Sequence, residues 1–365
     1  MTRCAGRVPV PMSSANGTVM HHVLNHVAGG PPASVSAAGE IVLNLRRRRS
    51  WETNRRGSRV YLAGECDDAA RQIDPRVYSG WNVLGQTLSF TVELAKSGCG
   101  CVAAAYLVPM QANREAGTCG GDHYCDANRI CGVGCSEIDV MEANSRAFLS
   151  TTHTLERDCY GKGGGLGGTN RAFSSREYGP SASIIDTLQP FRVHAYFAAD
   201  TRTSIELSGL EITLEQASRT LRFQPTSSDC LPRHTAAMSR ATLVFSYWSA
   251  PSSNLSWFDR APCETDDQDT CGNSVHISKL QLRPGKRFAN RAMGVSMGSV
   301  SSKRAVLGKS KGHPHAAAAA VETKKSVTKP PKAKTPVKGW KAAQRSGMKT
   351  VGSGMKATKQ TKGSA

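Results

Sequence analysis

The sequence predicts an all-β protein in which two antiparallel sheets form a sandwich or jelly roll. Apolar residues alternate strictly with polar ones, as at Leu88, Phe90 and Val92 and again at Leu243 and Phe245. A period of two residues with one apolar face is typical of half-buried antiparallel strands. No segment shows a comparable helical period. Gly, Asn, Asp and Ser connect the alternating stretches, which favours many short strands joined by turns.

The predicted strands follow one another through the central part of the chain. In chain order, the alternating segments are 88–94, 191–197, 210–214, 243–247 and 275–282. Residues 160–183 are rich in Gly and lack any period, so we expect a long loop there. Loops of that length are usually functional or disordered.

Charge divides the chain into three regions. The net charge is +19, yet residues 286–365 contain 19 basic residues and one acid, whereas residues 60–285 contain 19 basic and 25 acidic residues. We therefore expect a β-sandwich over 51–285 and a disordered, Lys/Pro/Ala-rich basic tail over 286–365, because such a tail buries too little apolar surface to offset its ordering entropy. Residues 1–50 are expected to be a disordered leader or a misassigned start.

Cysteine usage indicates the compartment. Twelve cysteines are present, eleven of them between Cys66 and Cys271, and their spacing matches no zinc signature. This content favours disulfides and an oxidising, extracellular location, although residues 1–45 show no apolar run of signal-peptide length. No apolar run approaches the ~18–20 residues of a membrane helix, so no membrane partner is expected.

Three carboxylates stand within six residues, at Glu137, Asp139 and Glu142. On a strand, Glu137 and Asp139 share a face, and carboxylates this close cannot all ionise freely. Glycoside hydrolysis uses such a pair, one as nucleophile and one as protonated acid, ~5–5.5 Å apart in retaining enzymes. Glu142 reaches the same face only if the strand bulges between Asp139 and Glu142. The alternative is the polar face of an edge strand.

The segment Ser136–Asn144, which reads SEIDVMEAN, resembles the catalytic motif S-E-[MI]-D-[IV]-x-E-A-N of glycoside hydrolase family 7. These cellobiohydrolases and endoglucanases cleave β-1,4-glucan with retention on a concanavalin A-like jelly-roll sandwich. By resemblance, Glu137 is the nucleophile, Asp139 hydrogen-bonds it and tunes its ionisation, and Glu142 is the acid/base. His153, eleven residues after Glu142, matches the family's histidine near the +1 sugar.

Further motifs that resemble the family's occur in the same order over roughly residues 55–285. They include G-S-R-V-Y-L at 57–62, C-G-C-V-A-A-A-Y at 99–106 and Y-C-D at 124–126. Taken alone, two tryptophans in a β-rich chain favour core packing. The resemblance implies instead that the sugar contacts are Arg59, Tyr106, Tyr124, Asp126, Arg171, Trp248 and Trp257.

The sequence departs from the family mainly by missing segments. Ten residues separate Asp126 from Glu137, where the family has a long loop, and the family's N-terminal tryptophans have no counterpart in residues 1–50. We therefore expect an open cleft and endo action. The family's pairing implies a Cys125–Cys135 disulfide, and Cys99–Cys271 is a second expected pair.

These observations lead to one main hypothesis and two alternatives. The main hypothesis is a monomeric retaining glycoside hydrolase that cleaves β-1,4-glucosidic bonds in cellulose or a related β-glucan, without a metal or organic cofactor. A catalytically weak carbohydrate-binding protein that keeps the groove is the second. The third is a polyanion-binding protein that uses residues 286–365 to hold acidic polysaccharide or nucleic acid.

Overall fold

Strands make up most of the regular structure. The computed structural model describes residues 3–12, 17–26, 30–46, 57–70, 72–155, 173–200, 205–224, 228–251, 255, 257–259, 263 and 271–285. The strands are β1 (Cys4–Met12), β2 (Gly17–Asn25), β3 (Ser34–Val35), β4 (Ile41–Asn44), β5 (Arg59–Ala63), β6 (Gln86–Glu93), β7 (Cys101–Val108), β8 (Glu137–Ala143), β9 (Phe148–His153), β10 (Tyr178–Gly179), β11 (Ile185–Asp186), β12 (Phe191–Asp200), β13 (Glu206–Gln216), β14 (Arg219–Phe223), β15 (Thr242–Ser249) and β16 (Ser274–Pro284).

Helices are short in the described ranges. They are the 3-10 turns Pro75–Val77, Met110–Ala112 and Ser228–His234, and a single α-helical turn, α1 (Thr235–Met238). None of the helices that the structure describes is long and apolar enough to span a membrane.

The strands form two antiparallel layers. One has the order β14-β13-β12-β6-β16-β4-β3, and the other has the order β1-β2-β5-β15-β7-β8-β9. The layers are joined at one edge, where β1 pairs with β16 in parallel through Met12 and Leu282. β10 and β11 form a separate parallel pair.

Aromatic side chains from the two layers meet in the core. Phe90 of β6 packs edge-to-face on Phe245 of β15, with ring centroids 5.6 Å apart. Phe148 of β9 meets Phe223 of β14 in the same way at 5.8 Å. Each fully buried phenylalanine contributes about 1.5–3 kcal/mol to stability. The predicted β-sandwich of two antiparallel sheets is therefore confirmed.

β1 to β4 correct one expectation. Residues 1–50 were expected to be a disordered leader or a misassigned start, yet β1 places Val8 and Val10 in the core, at most 1% exposed. The sequence signal for this strand is weak, because its core-facing residues Val8 and Val10 alternate with Pro9 and Pro11. The two prolines stand two residues apart, so their missing N–H groups fall on the same side of the strand and leave the other side free to pair.

Five disulfides join described cysteines. Cys125 pairs with Cys135, as the resemblance implies. The expected Cys99–Cys271 pair is wrong, because Cys101 opens β7 facing the main core, where it meets Cys271, and Cys99 in the preceding turn pairs with Cys263. The remaining two bridges are Cys4–Cys66 and Cys119–Cys131.

Three predicted features lie outside the described residues. They are the basic tail 286–365, the sugar-binding residue Arg171 and the greater part of the Gly-rich loop, of which only 173–183 is described.

The Cys4–Cys66 bridge predicts a measurable stability contribution. Replacing both cysteines by serine releases β1 from the segment that follows β5, and we expect the free energy of unfolding to fall by about 2–4 kcal/mol. Urea denaturation of the double variant Cys4→Ser/Cys66→Ser, compared with the parent protein, measures the difference. An unchanged midpoint and slope would show that the bridge adds nothing to the strand pairing.

Candidate active site

A bulge in β8 brings the three carboxylates to one face. The pairing of β8 with β9 shifts register between Asp139 and Glu142, and the pairing with β7 shifts at the same point. Val140 and Met141 both turn into the main core, so Glu142 returns to the face that carries Glu137 and Asp139. The predicted interruption of this strand is confirmed.

Each carboxylate has a defined neighbour. Glu137 accepts a hydrogen bond on Oε2 from the backbone N–H of Ala127 at 3.1 Å. Asp139 Oδ2 lies 3.0 Å from Nε2 of His153, which stands opposite Glu137 in β9. Glu137, Asp139 and Glu142 are between 6% and 8% exposed, so the surrounding protein replaces most of their water.

Burial controls the ionisation of this cluster. It raises the pKa of Asp139 to about 8, and the charge of Asp126 adds to the effect. It also raises the pKa values of Glu137 and Glu142 well above their usual range, and the neighbouring Asp139 raises both further. His153 and the Ala127 N–H act in the opposite direction on Glu137, because they favour its ionised form. The site can therefore hold one protonated and one ionised carboxyl group.

Arg59, Tyr106, Tyr124 and Asp126 lie together beside Glu137. The Arg59 guanidinium stacks over the ring of Tyr124 at 4.3 Å, a cation–π contact. The hydroxyls of Tyr106 and Tyr124 are 2.9 Å apart. Asp126 accepts a hydrogen bond from the Ile130 N–H at 3.0 Å, and its burial raises its pKa. Four residues expected to contact sugar thus form one polar cluster at this end of the site.

Trp248 and Trp257 lie towards the Glu142 end. Both are half-buried and pack against an apolar cluster of Val102, Leu149, Ala250, Leu255 and Phe258. Leu149 pairs directly with Glu142 across β8 and β9. The carboxylates therefore stand between an Arg/Tyr cluster on one side and a tryptophan surface on the other.

Asn144 and Asp259 have a structural role that sequence reasoning missed. Asn144 donates from Nδ2 to Asp259 at 2.7 Å, and its Oδ1 accepts the N–H of Ala147 at 2.8 Å. Asp259 also accepts the Gly100 N–H at 2.6 Å, and burial raises its pKa to about 6. These bonds fix the tight turn from β8 to β9, and hence the register that sets His153 opposite Glu137. The available signal was their place in the sequence, because Asn144 ends the motif Ser136–Asn144 and Asp259 follows Trp257 by two residues.

The fold that carries this site is similar to that of solved cellulase structures. No family model matches the chain. A solved structure described as endoglucanase I complexed with cellobiose superposes with a TM-score of 0.55 at 16% identity, covering 77% of this chain and 97% of that one. A GH7 family cellobiohydrolase from Daphnia pulex superposes with a TM-score of 0.54 at 14% identity, covering 78% and 97%. Both show the same sandwich fold.

A curated sequence relative adds to the likeness of fold. The Aspergillus clavatus protein named "Probable endo-beta-1,4-glucanase celB" is 29% identical over 221 residues, which is 52% of this chain and 51% of that one. In sequence and in fold the chain is similar to glycoside hydrolase family 7. It spans about half the length of this curated relative.

The carboxylate cluster predicts that stability falls as the pH rises. The folded-state pKa of Asp139, about 8, lies above its ordinary value of 3.8. Its contribution is therefore complete below about pH 4 and is lost as the pH rises towards 8, because the unfolded chain ionises first. Glu137, Glu142 and Asp259 shift in the same direction.

We expect the Tm to be several degrees lower at pH 8 than at pH 5, since ~1 kcal/mol corresponds to about 2–4 °C in a domain of this size. Scanning calorimetry across this range checks it. Asp139→Asn should flatten the slope, whereas Asp186→Asn, in the turn at β11, should keep it. A Tm that rises between pH 5 and pH 8 would contradict the assignment.

Proposed function

We propose that the protein is a retaining glycoside hydrolase that cleaves β-1,4-glucosidic bonds in cellulose or a related β-glucan. The observation that carries this proposal is the bulge in β8, which places Glu137, Asp139 and Glu142 on one buried face. A regular strand would have pointed Glu142 into the core. This bulge interrupts the regular strand pairing and turns a polar residue away from the core. Bulges of this kind are typical of functional sites.

The two glutamates take complementary roles in the proposed reaction. Glu137 attacks the anomeric carbon, and Glu142 gives its proton to the leaving oxygen, so that a glycosyl–Glu137 ester forms and the leaving sugar departs with a hydroxyl. A water molecule then gives its proton to Glu142 and attacks the same carbon, which restores both groups and retains the configuration. The Ala127 N–H supports this assignment, because it stabilises the ionised form of Glu137.

Asp139 and His153 act beside the two reacting groups. Asp139 stands two residues from Glu137 on the same face, and its carboxylate contacts Nε2 of His153. An acid whose pKa is raised by burial can hold a proton and share it with a neighbouring carboxylate. We propose that Asp139 tunes the ionisation of Glu137, and that His153 orients Asp139 and borders the +1 sugar.

The substrate class rests on the two ends of the site. Half-buried tryptophans present flat apolar surfaces that suit the faces of pyranose rings, and the Arg59–Tyr106–Tyr124–Asp126 cluster offers donors and acceptors for sugar hydroxyls. We propose that Arg171 adds a further contact. The names of the curated relatives support internal cleavage, and the short segment between Asp126 and Glu137 supports an open cleft.

The decisive experiment replaces each glutamate in turn. Glu137→Gln and Glu142→Gln should each lower turnover of a soluble β-glucan by at least about 10²-fold. The first variant loses the nucleophile, and the second loses the general acid, a role worth about 10²–10⁴-fold. Reducing-sugar release measures the rate. Glu215→Gln, on the outer face of the opposite sheet, is the matched control and should retain parental activity.

Leaving-group chemistry separates the two roles. With an aryl glycoside whose phenol leaves without protonation, Glu142→Gln should form the glycosyl enzyme and accumulate it. Added azide should then release a β-glycosyl azide, detected by NMR, whereas Glu137→Gln should show no such rescue. Binding of β-glucan without turnover by the parent protein would instead favour the weak carbohydrate-binding alternative.

The basic tail supports a separate proposal. Residues 286–365 carry 19 basic residues against one acid, and we propose that they hold the enzyme on a polyanion such as acidic polysaccharide or nucleic acid. Salt-dependent retention of the full chain on heparin, lost when the tail lysines are acetylated, would support it.

We also propose that the enzyme is a monomer in an extracellular, oxidising environment. The five disulfides that join its described cysteines support the oxidising environment.

A further inference from the structure

A buried ion-pair network lies outside the catalytic cluster. Asp122 accepts a charged hydrogen bond from Arg3 NH1 at 2.7 Å, and its other oxygen lies 2.7 Å from His26 Nδ1. Its backbone carbonyl accepts the hydroxyl of Tyr78 at 2.6 Å. Asp122 is fully buried and Arg3 is 4% exposed. A carboxylate and a guanidinium in such a place are costly to desolvate, and replacing such pairs by apolar residues often does not lower stability.

Asp122 belongs to a loop that is already closed twice. We call residues 119–135 the disulfide loop, because Cys119–Cys131 and Cys125–Cys135 both lie within it. Since the two bridges restrict the shape of the loop, an additional ion pair is not needed to close it. What Asp122 adds is a fixed attachment of the loop to the rest of the molecule.

The disulfide loop is the segment that reaches the nucleophile. It carries Tyr124 and Asp126, and the Ala127 N–H donates to Glu137 at 3.1 Å. Ala127 stands five residues after Asp122. A displacement of the Asp122 end of the loop therefore moves a backbone donor that favours the ionised form of Glu137.

The Arg3 and His26 side chains that contact the Asp122 carboxylate come from the ends of one hairpin. Arg3 immediately precedes β1 and His26 immediately follows β2. β2 pairs with β5, which carries Arg59, so the hairpin itself is fixed to the sheet of the active site. The hairpin thus supplies a rigid base from which the Arg3 guanidinium and the His26 imidazole hold the loop.

We propose that Asp122 is a positioning residue of the proposed reaction: clamped by Arg3 and His26, it holds the disulfide loop in the place where the Ala127 N–H meets Glu137. The expected effect on turnover rests on the proposed function. The expected effect on the position of the loop rests on the hydrogen bonds alone. Asp122 does not contact the reacting groups, and it acts through the loop.

The direction of the effect follows from the groups around Glu137. Burial disfavours the charge of Glu137, and Asp139 and Asp126 add to the effect, whereas His153 and the Ala127 N–H favour its ionised form. Tyr106 and Tyr124 also face it. Weakening the Ala127 hydrogen bond leaves the unfavourable groups in place, so the pKa of Glu137 rises. Because the nucleophile must be ionised, the acidic limb of kcat/KM then moves to higher pH.

Asp122→Asn tests the proposal with little change of shape. We expect kcat to fall by about 10-fold to 100-fold, as for a small displacement of a reacting group, with a much smaller change in KM. The acidic limb of the pH profile should move upwards. Glu215→Gln is the matched control, because it also removes a carboxylate that contacts a histidine, His194, but on the outer face of the other sheet.

A second measurement needs no turnover. Hydrogen exchange of the Ala127 amide, followed by NMR or by mass spectrometry of the peptide that contains it, should be at least about tenfold faster in Asp122→Asn, because loss of the hydrogen bond exposes the amide. If the parent protein fails to cleave β-glucan, the proposed function fails, and this exchange rate still decides whether Asp122 positions the loop.

His26→Gln protects the test against misfolding. His26 is more exposed than Asp122, with 11% of its side chain accessible, and its replacement leaves the Arg3–Asp122 pair in place. We expect a smaller shift of the same sign in both the pH profile and the exchange rate. Folded variants with a parental pH profile and a parental Ala127 exchange rate would overturn the proposal.

Discussion

The extra residue in β8 is the constraint on which the candidate site depends. Without it, the period of two would place Glu142 on the core face, where no partner for its charge is provided. With it, two consecutive apolar residues, Val140 and Met141, fill the core, and the carboxylates collect on the opposite face. The turn fixed by Asn144 and Asp259 then keeps β9 in the register that sets His153 opposite Glu137.

Burial away from water is the second property that the candidate site residues share. The central strands β7 and β8 are buried on both faces, since the sandwich core covers one and the Tyr, Trp and loop side chains cover the other. Four acidic residues sit in this environment, and their raised pKa values show how strongly it disfavours charge. The same desolvation that favours a protonated carboxyl group, as the proposed acid catalysis requires, also makes the remaining charged contacts strong.

Sequence reasoning predicted the fold and the bulge in the candidate catalytic segment because both depend on local patterns. The alternation in β6 and β12 predicts their strands, and the spacing from Glu137 to Glu142 requires the bulge that the structure contains. β1 was missed because its apolar run is short and broken by prolines. The Ala127 N–H was missed because a backbone donor leaves no trace in residue type.

Long-range partners were also beyond the reach of local patterns. Arg3 and His26 lie 119 and 96 residues from Asp122 in the chain, and nothing in their neighbourhoods indicates that they meet. Cys99 was expected to pair with Cys271, which in fact pairs with Cys101, for a similar reason. Cysteines two residues apart are distinguished only by the direction in which each side chain points. Such contacts depend on how the strands are arranged in space, which the local sequence pattern does not specify.

The position of β16 has a consequence for biosynthesis. This strand pairs with β6 and β4 in one layer and touches β1 in the other, and the bridges of Cys99 and Cys101 span 164 and 170 residues. The layer that contains β16 therefore cannot be completed until residues 274–284 have left the ribosome, and contacts of such high sequence separation form slowly. The nascent chain would expose unpaired strand edges and free thiols for most of its synthesis, so its productive folding should depend on chaperones and on a disulfide isomerase to sort the neighbouring cysteines.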